Sequence, residues 1–299
     1  MIDLKGKTAF ITGGASGLGL AMARALGHEG MKIMLADLDA EGLKVAEAEL
    51  QGRQIEAASV IVDVTDRSAV RNGALKTVER FGKVHVVCNN AGVAVGGPIG
   101  TVRERDWDWI IDVNIKGVVY GVETFTPLIK AHGEGGHFVN TASMAGMISP
   151  PGMEPYCASK FAVVAMSEGW AGQLAPFNIG VSALCPGYAK SRIFESGRAR
   201  PASYGGPGDI DPGISVNREE AVARVLNGMD ADVVGRRVVE GIKANELHIF
   251  THREMRVVVD MRMEMLRQAF DRADASAALS VVPKIDPSEL LQQLAAAKQ

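Results

Sequence analysis

The chain has 299 residues, room for one large α/β domain or two small ones. With 47% hydrophobic and 22% charged residues it is composed as a globular protein and not as a disordered one. A formal net charge of −3 gives no electrostatic basis for partnership with nucleic acid or an anionic membrane, and no apolar run is long enough to span a bilayer. The cysteines Cys88, Cys157 and Cys185 show no CxxC spacing, and the start Met1–Lys7 lacks a signal-peptide layout, so a cytoplasmic protein is expected.

In chain order, Thr8–Thr12 reads as a first buried strand that runs into Gly13-Gly14-Ala15-Ser16-Gly17-Leu18-Gly19 and a helix over Leu18–Glu29. Glycines there let the chain turn sharply and let a pyrophosphate approach the unpaired N–H groups of a helix N-terminus. The spacing is Gly-x-x-x-Gly-x-Gly, and taken alone it fits a plain tight strand–helix loop as well. The second strand, Met31–Ala36, leads to Asp37-Leu38-Asp39. A carboxylate at Asp37 suits both hydroxyls of an adenosine ribose and repels the extra phosphate of NADP, so NAD is the expected cofactor. Asp39 is the better placed of the two to cap the next helix, Ala40–Gln51.

A strand at Ala58–Val62 leads to Asp63-Val64, and a helix at Arg67–Phe81 follows. The strand Val84–Cys88 leads to Asn89-Asn90-Ala91-Gly92, and one long helix, Glu104–Lys130, contains Asn114. The strand Gly136–Thr141 precedes Ser143, and the helix Pro155–Ala175 opens with Tyr156 and Lys160. The last strands are Gly180–Leu184, leading to Pro186-Gly187, and Leu247–Thr251. Strands alternating with helices imply one doubly wound (Rossmann) α/β domain over residues 1–252, a parallel seven-stranded sheet with helices on both faces. Ser191–Pro212, rich in glycine and proline, reads as irregular and mobile, within a substrate loop at about 188–215. Residues 253–299 read as a C-terminal extension, a helix over Arg253–Ala273 and a tail ending in Leu290–Lys298, that covers the site's mouth or packs on a neighbouring subunit.

Tyr156 and Lys160, four apart on a helix, project into the same space. An ammonium there, together with the positive nicotinamide ring of an oxidised cofactor, favours the phenolate and turns a phenol that titrates near ~10 into a usable base. The pair alone also fits a packed tyrosine beside a solvated lysine. His248 and His252 lack cysteine or carboxylate partners at ligand spacing, so no metal is expected.

Together, Thr12–Gly19, Asp63-Val64, Asn89-Asn90-Ala91-Gly92, Asn114, Ser143, Tyr156 with Lys160, and Pro186-Gly187 resemble the short-chain dehydrogenase/reductase family in its compact, NAD-preferring branch. The resemblance implies a catalytic set of Asn114, Ser143, Tyr156 and Lys160. Tyr156 would move the hydroxyl proton, Lys160 would lower its pKa and hold the nicotinamide ribose, and Ser143 would orient the substrate oxygen. The Asn114 amide would hold a water joining Lys160 to solvent. For the cofactor it implies Gly13, Ser16, Gly17, Leu18 and Gly19 under the phosphates and Asp37 on the ribose. Asp63 and Val64 would lie at the adenine, and Asn90, Ala91 and Gly92 behind the adenosine ribose. Pro186, Gly187, Ala189 and Ser191 would sit over the carboxamide. The family usually has Val or Ile where Ala189 stands and Thr where Ser191 stands.

A hydride would then pass between NAD(H) and a secondary alcohol or ketone, in a homodimer or homotetramer by family analogy. Met144, Ala145, Met147, Met153, Tyr188, Ile193, Phe194 and Arg198 are the candidate pocket lining, an adaptable apolar wall suited to a bulky or aromatic substrate. Trp107–Ile111, Arg198–Tyr204 and the extension also resemble bacterial dehydrogenases that oxidise the benzylic alcohol of lignin-derived aryl ethers. Steroid, sugar and hydroxyacyl dehydrogenases are the alternatives. A non-catalytic NAD sensor is a rival of another class, opposed by four filled catalytic positions.

Overall fold

The computed structural model describes residues 3–209, 218–283, 285–289 and 291–292. Its centre is a parallel sheet of β1 (Thr8–Thr12), β2 (Lys32–Asp37), β3 (Ala57–Ile61), β4 (Val86–Asn89), β5 (Gly136–Thr141), β6 (Ile179–Cys185) and β7 (His248–Phe250), in the order β3-β2-β1-β4-β5-β6-β7. The order reverses between β1 and β4, the place where a doubly wound sheet offers a ligand crevice at the carboxyl ends of its strands. The doubly wound fold expected from the alternation is the fold that forms.

The helices α1 (Gly17–His28), α2 (Ala40–Gly52), α3 (Arg67–Phe81), α4 (Glu104–Ile111), α5 (Gly117–His132), α6 (Glu154–Leu174), α7 (Arg218–Leu226), α8 (Ala231–Ala244) and α9 (Arg256–Asp274) connect and extend the sheet. One face buries Ile11, Met22, Leu26, Leu35, Val238 and Ile249, the other Phe10, Trp109, Val113, Phe125 and Phe138. Strands covered on both faces explain the nearly continuous apolar runs, all five residues of β1 and all six of β5 being buried.

Two departures bear on function. The single helix expected over Glu104–Lys130 is α4 and α5 joined by a π-helical turn, Asp112–Lys116, in which the Gly117 N–H reaches the Asp112 carbonyl. Such a turn inserts an extra residue and re-aims the side chains on it, among them Asn114. Helices α7 and α8 lie where the sequence reading placed none. Asp230 caps α8, which lays Val234, Val238, Val239 and Ile242 against α1, close enough that a Cβ on Gly235 would stand 2.5 Å from the Ala21 carbonyl. Within the expected substrate loop, Ile193–Ala199 and Ala202–Tyr204 form 3₁₀ turns, and residues 210–215 lie outside the described residues, as does most of the stretch Leu290–Lys298 that ends the expected tail. In α9 no residue is buried: Val257, Met261, Met265 and Phe270 are exposed, and Arg262 lies 5.2 Å over the Phe161 ring of α6. No helix among the described residues is long and apolar enough to cross a membrane.

His137 on β5 is buried without a charged partner. Its Nε2–H donates to Ser182 Oγ (2.8 Å), whose hydroxyl donates to the Glu246 carbonyl, and Nδ1 has no partner. Burial holds its pKa down to about 3 against an ordinary 6.5. Below pH 6.5 the unfolded chain therefore binds a proton that the folded one refuses, and stability falls as the pH drops from 6.5 toward 3. At pH 5 the loss amounts to about 2 kcal/mol. Denaturant titrations at pH 7 and pH 5 are expected to differ less in His137→Gln than in the parent protein, by about that amount.

Candidate active site

Where β1 ends, the glycine turn folds back on itself. Gly13 and Gly17 have φ of 64° and 55°, and a Cβ on Gly19 would stand 2.1 Å from the Gly13 carbonyl, so that third glycine is required by contact. The loop after β6 comes down on the same turn: a Cβ on Gly17 would meet Ser191 Cβ at 3.2 Å. Asp37 bridges the cradle, its carboxylate accepting the Ala15 N–H (3.0 Å) and the Asp39 N–H (3.1 Å). Asp39 takes the capping role, accepting Gly42 N–H at 2.9 Å. Among the described residues no basic side chain that would welcome a phosphate pairs with the Asp37 carboxylate, and the next residue is the exposed Leu38.

A polar chain runs from this cradle to the helix bearing Tyr156. Thr12 Oγ1 accepts the N–H groups of Asn90 and Ala91 (2.9 and 3.0 Å), and Asn90 Nδ2 donates to the Thr12 carbonyl (3.0 Å). Thr141 Oγ1 donates to Asn90 Oδ1 (3.3 Å), and the Thr141 carbonyl accepts from Lys160 Nζ (2.8 Å). Thr12, which opens the segment Thr12–Gly19, is thus part of the site, and so is Thr141, which the sequence marked only as the end of a strand. At the end of β3, Asp63 Oδ1 holds the N–H and hydroxyl of Thr65 (2.9 and 2.7 Å), and Val64 packs against Gly117.

Tyr156 and Lys160 come together as the spacing predicts, Lys160 Nζ lying 5.5 Å from the centre of the phenol ring. The protein groups alone do not supply the expected fall in the phenol pKa, which counted on the cofactor's positive ring as well as the ammonium. Among them, burial pushes the Tyr156 phenol up to about 12, the Ser143 hydroxyl offsetting part of this, and pulls Lys160 down to about 8. Lys160 is 4% exposed, and among the described residues the Thr141 carbonyl is the one hydrogen-bond acceptor for its three N–H donors. The residues fit a dinucleotide: a glycine turn without Cβ atoms, a ribose-sized carboxylate position, and a buried ammonium with two donors left for a diol.

Asn114 is held on three sides by protein groups. Its carboxamide accepts the Val93 N–H (2.9 Å) and donates to the Val93 carbonyl (2.9 Å) and to Ser159 Oγ (3.0 Å). Both amide hydrogens are used, so the side chain clamps the β4 loop to α6 and would hold a water through the second lone pair of Oδ1. Ser143 accepts the Ala145 N–H (3.1 Å) and donates to the Pro186 carbonyl (3.4 Å), while Met144, buried, ties the same carbonyl through its N–H (2.9 Å). The Gly187 N–H donates to His252 Nδ1 (3.1 Å), which gives that histidine a structural job. Of the expected pocket lining, Met153 packs on Gly96, and Phe194 and Arg198 are half-buried in the loop. The Arg198 guanidinium turns back toward the Arg192 and Glu195 carbonyls. Tyr188 is exposed and engaged by Arg224 of α7 at 3.3 Å, and Ala189 is buried beside Met229.

A second cluster, His85, His132 and Glu134, lies at the opposite, amino-terminal edge of the sheet. His85 Nδ1 accepts the Thr8 N–H and His132 Nδ1 accepts the Glu134 N–H, both at 3.1 Å. Their other nitrogens face Glu134 Oε2 and the Val84 carbonyl, so the ring lone pairs are committed to backbone donors and not offered to a cation.

Residues 7–202 match the sequence profile of the short chain dehydrogenases. A C alpha-dehydrogenase of Sphingobium sp. strain SYK-6 is 37% identical over 261 residues, 86% of this chain and 84% of that protein. A short chain dehydrogenase/reductase from Burkholderia phymatum, solved in complex with NAD, superposes with a TM-score of 0.86 at 34% identity, over 90% of this chain and 97% of its own. LigO from Sphingobium sp. strain SYK-6, in its apo form, superposes at 0.77 with 30% identity, over 100% of this chain and 98% of its own.

Proposed function

Since the chain belongs to the short-chain dehydrogenases, we propose that it moves a hydride between NAD(H) and a bulky secondary alcohol or ketone, the favoured substrate being a benzylic alcohol of a lignin-derived aryl ether. The observation that carries this is the buried Lys160 ammonium, short of acceptors, beside the Tyr156 phenol at the foot of the glycine cradle. Bound NAD supplies the hydride acceptor and a cationic ring. Lys160 holds the nicotinamide ribose diol with its two remaining donors, Ser143 orients the carbinol oxygen, and Tyr156 takes its proton. A phenol at about 12 is a poor base, so the reading requires its pKa to fall when positive charge enters the pocket. Asn114 acts by holding Val93 and Ser159 in place. The similarity to the Sphingobium C alpha-dehydrogenase and to LigO supports the aromatic substrate, and family analogy supports a homodimer or homotetramer in the cytoplasm.

A panel of secondary aromatic alcohols, aryl ether dimers included, assayed for NADH formation against steroid, sugar and hydroxyacyl alcohols tests this. Turnover confined to the latter groups would remove the aromatic assignment. NAD binding with no turnover of any alcohol would favour the sensor.

Asp37→Asn removes the charge and keeps an acceptor for one of the two N–H groups, of Ala15 and Asp39, that the separate carboxylate oxygens hold. It is expected to raise the ratio of NADP to NAD specificity, each as kcat/KM, by at least about tenfold, equivalent to 1.4 kcal/mol. An unchanged ratio would separate Asp37 from cofactor choice.

A further inference from the structure

The segment from β6 to residue 209 crosses the crevice and ends in a buried anchor that the proposed chemistry does not use. After Ser191 passes Gly17, Ser196 Oγ accepts the Ala94 N–H at 3.4 Å. Arg200 then turns inward, 3% exposed, and pairs with the fully buried Asp106 of α4 at 2.5 Å. Its guanidinium stacks 4.7 Å over Trp109, and it donates to the Tyr204 carbonyl (2.7 Å) and the Asp209 carbonyl (3.0 Å), drawing the segment into a tight turn on α4. That turn delivers the Tyr204 hydroxyl to Asp112 Oδ2 at 2.6 Å. Thr65 and Asp63, beside the end of β3, face the same hydroxyl.

Asp112 is the first residue of the π-helical turn that carries Asn114. Its other oxygen is held by Lys116 at 2.6 Å, at the far end of the turn. The irregular turn is thus braced from inside by Lys116 and from outside by Tyr204. A π-turn has one residue more than the α-helix it interrupts, so it needs side-chain contacts to hold one register. The register matters here because Asn114 clamps Val93 to Ser159, the neighbour of Lys160.

We infer that Tyr204 is a positioning residue: its bond to Asp112 fixes the π-turn register, so that docking of the loop over the crevice and alignment of Asn114, α6 and the Tyr156–Lys160 pair are one event. This rests on the proposed roles of Tyr156 and Lys160. The Arg200–Asp106 pair serves it by presenting Tyr204 at the right height. A merely structural tyrosine would stabilise the fold without separating turnover from cofactor affinity.

Tyr204→Phe removes one hydroxyl and keeps the ring. Two readouts are needed, amide hydrogen exchange over residues 112–118 of the protein without cofactor, and kcat with the KM for NAD on whichever alcohol the enzyme turns over. The inference predicts exchange at least tenfold faster in that turn, kcat lowered at least tenfold, and the KM for NAD within about threefold of the parent. Asp112→Asn, which keeps an acceptor for the phenol, is expected to restore most of what Asp112→Ala loses, and it serves as the test should Tyr204→Phe fail to fold. Unchanged exchange in the turn would overturn the inference, as would faster exchange with kcat intact, or equal losses in Asp112→Asn and Asp112→Ala. If Tyr156→Phe retains turnover, the reading of the base fails, and the exchange result still decides whether Tyr204 braces the turn.

Discussion

Tyr156→Phe is expected to lower kcat for a secondary alcohol by a factor on the order of 10³, the span that general acid–base catalysis supplies, and to leave NAD affinity within about twofold. The substitution deletes one oxygen from a ring that packs with Trp109 and Val113 on one face of the sheet. The polar chain from Thr12 through Asn90 and Thr141 to Lys160 does not pass through the Tyr156 hydroxyl, so the cradle keeps its shape. Loss of turnover with binding retained identifies a group used on the reacting atoms. Steady-state kinetics together with a fluorescence titration of NADH check both halves. Activity within tenfold of the parent would take the proton transfer away from Tyr156.

Lys160→Met is expected to combine a comparable loss of kcat with a gain in stability. The ammonium is buried with one protein acceptor, and burial lowers its pKa from 10.5 to about 8. The sign follows: below pH 8 the folded state carries the full cost of the charge, and the cost fades as pH rises toward 10.5. At pH 7 it amounts to about 3 kcal/mol, which a methionine of similar length does not incur. Thermal unfolding at pH 7 should therefore rise by several degrees, and the gap to the parent should close by pH 10. A Lys160→Met protein less stable than the parent would mean that the ammonium is satisfied in ways the hydrogen bonds do not reveal. Groups that stabilise by being removed are found where the fold serves chemistry.

The two lysine and tyrosine effects share one cause. Desolvation favours the neutral form of each, so the protein alone keeps phenol and ammonium from doing what their spacing suggests. Sequence spacing reported the contact and not the cost of burying it, because burial is a tertiary quantity that four residues of helix do not encode. A positive ring and a ribose diol would reverse both terms at once, which makes base strength conditional on cofactor.

The nucleotide half was legible for the same reason that it is geometrically demanding. A glycine whose Cβ would fall 2.1 Å from a carbonyl leaves a mark in the sequence, and so does a carboxylate at the end of the second strand. Thr141 left none, since a threonine ending a buried strand looks like any β-branched residue until its oxygen is seen bonding a neighbouring loop. Helix α8 was missed although Val234, Val238 and Ile242 recur every four residues, because the glycine-rich stretch before it drew the reading toward loop. The π-turn and its brace could not be read at all. They depend on Tyr204 meeting Asp112 across 92 positions of chain, and long-range pairing of that kind has no local signature.

The most direct measurement is a crystal structure with NAD and a secondary aromatic alcohol or its ketone. The account predicts Tyr156 Oη within hydrogen-bond reach of the carbinol oxygen, Lys160 on the nicotinamide ribose, and the carbinol carbon facing the nicotinamide ring. A nicotinamide lodged away from α6, or a substrate oxygen held by some other donor with Tyr156 turned aside, would contradict it.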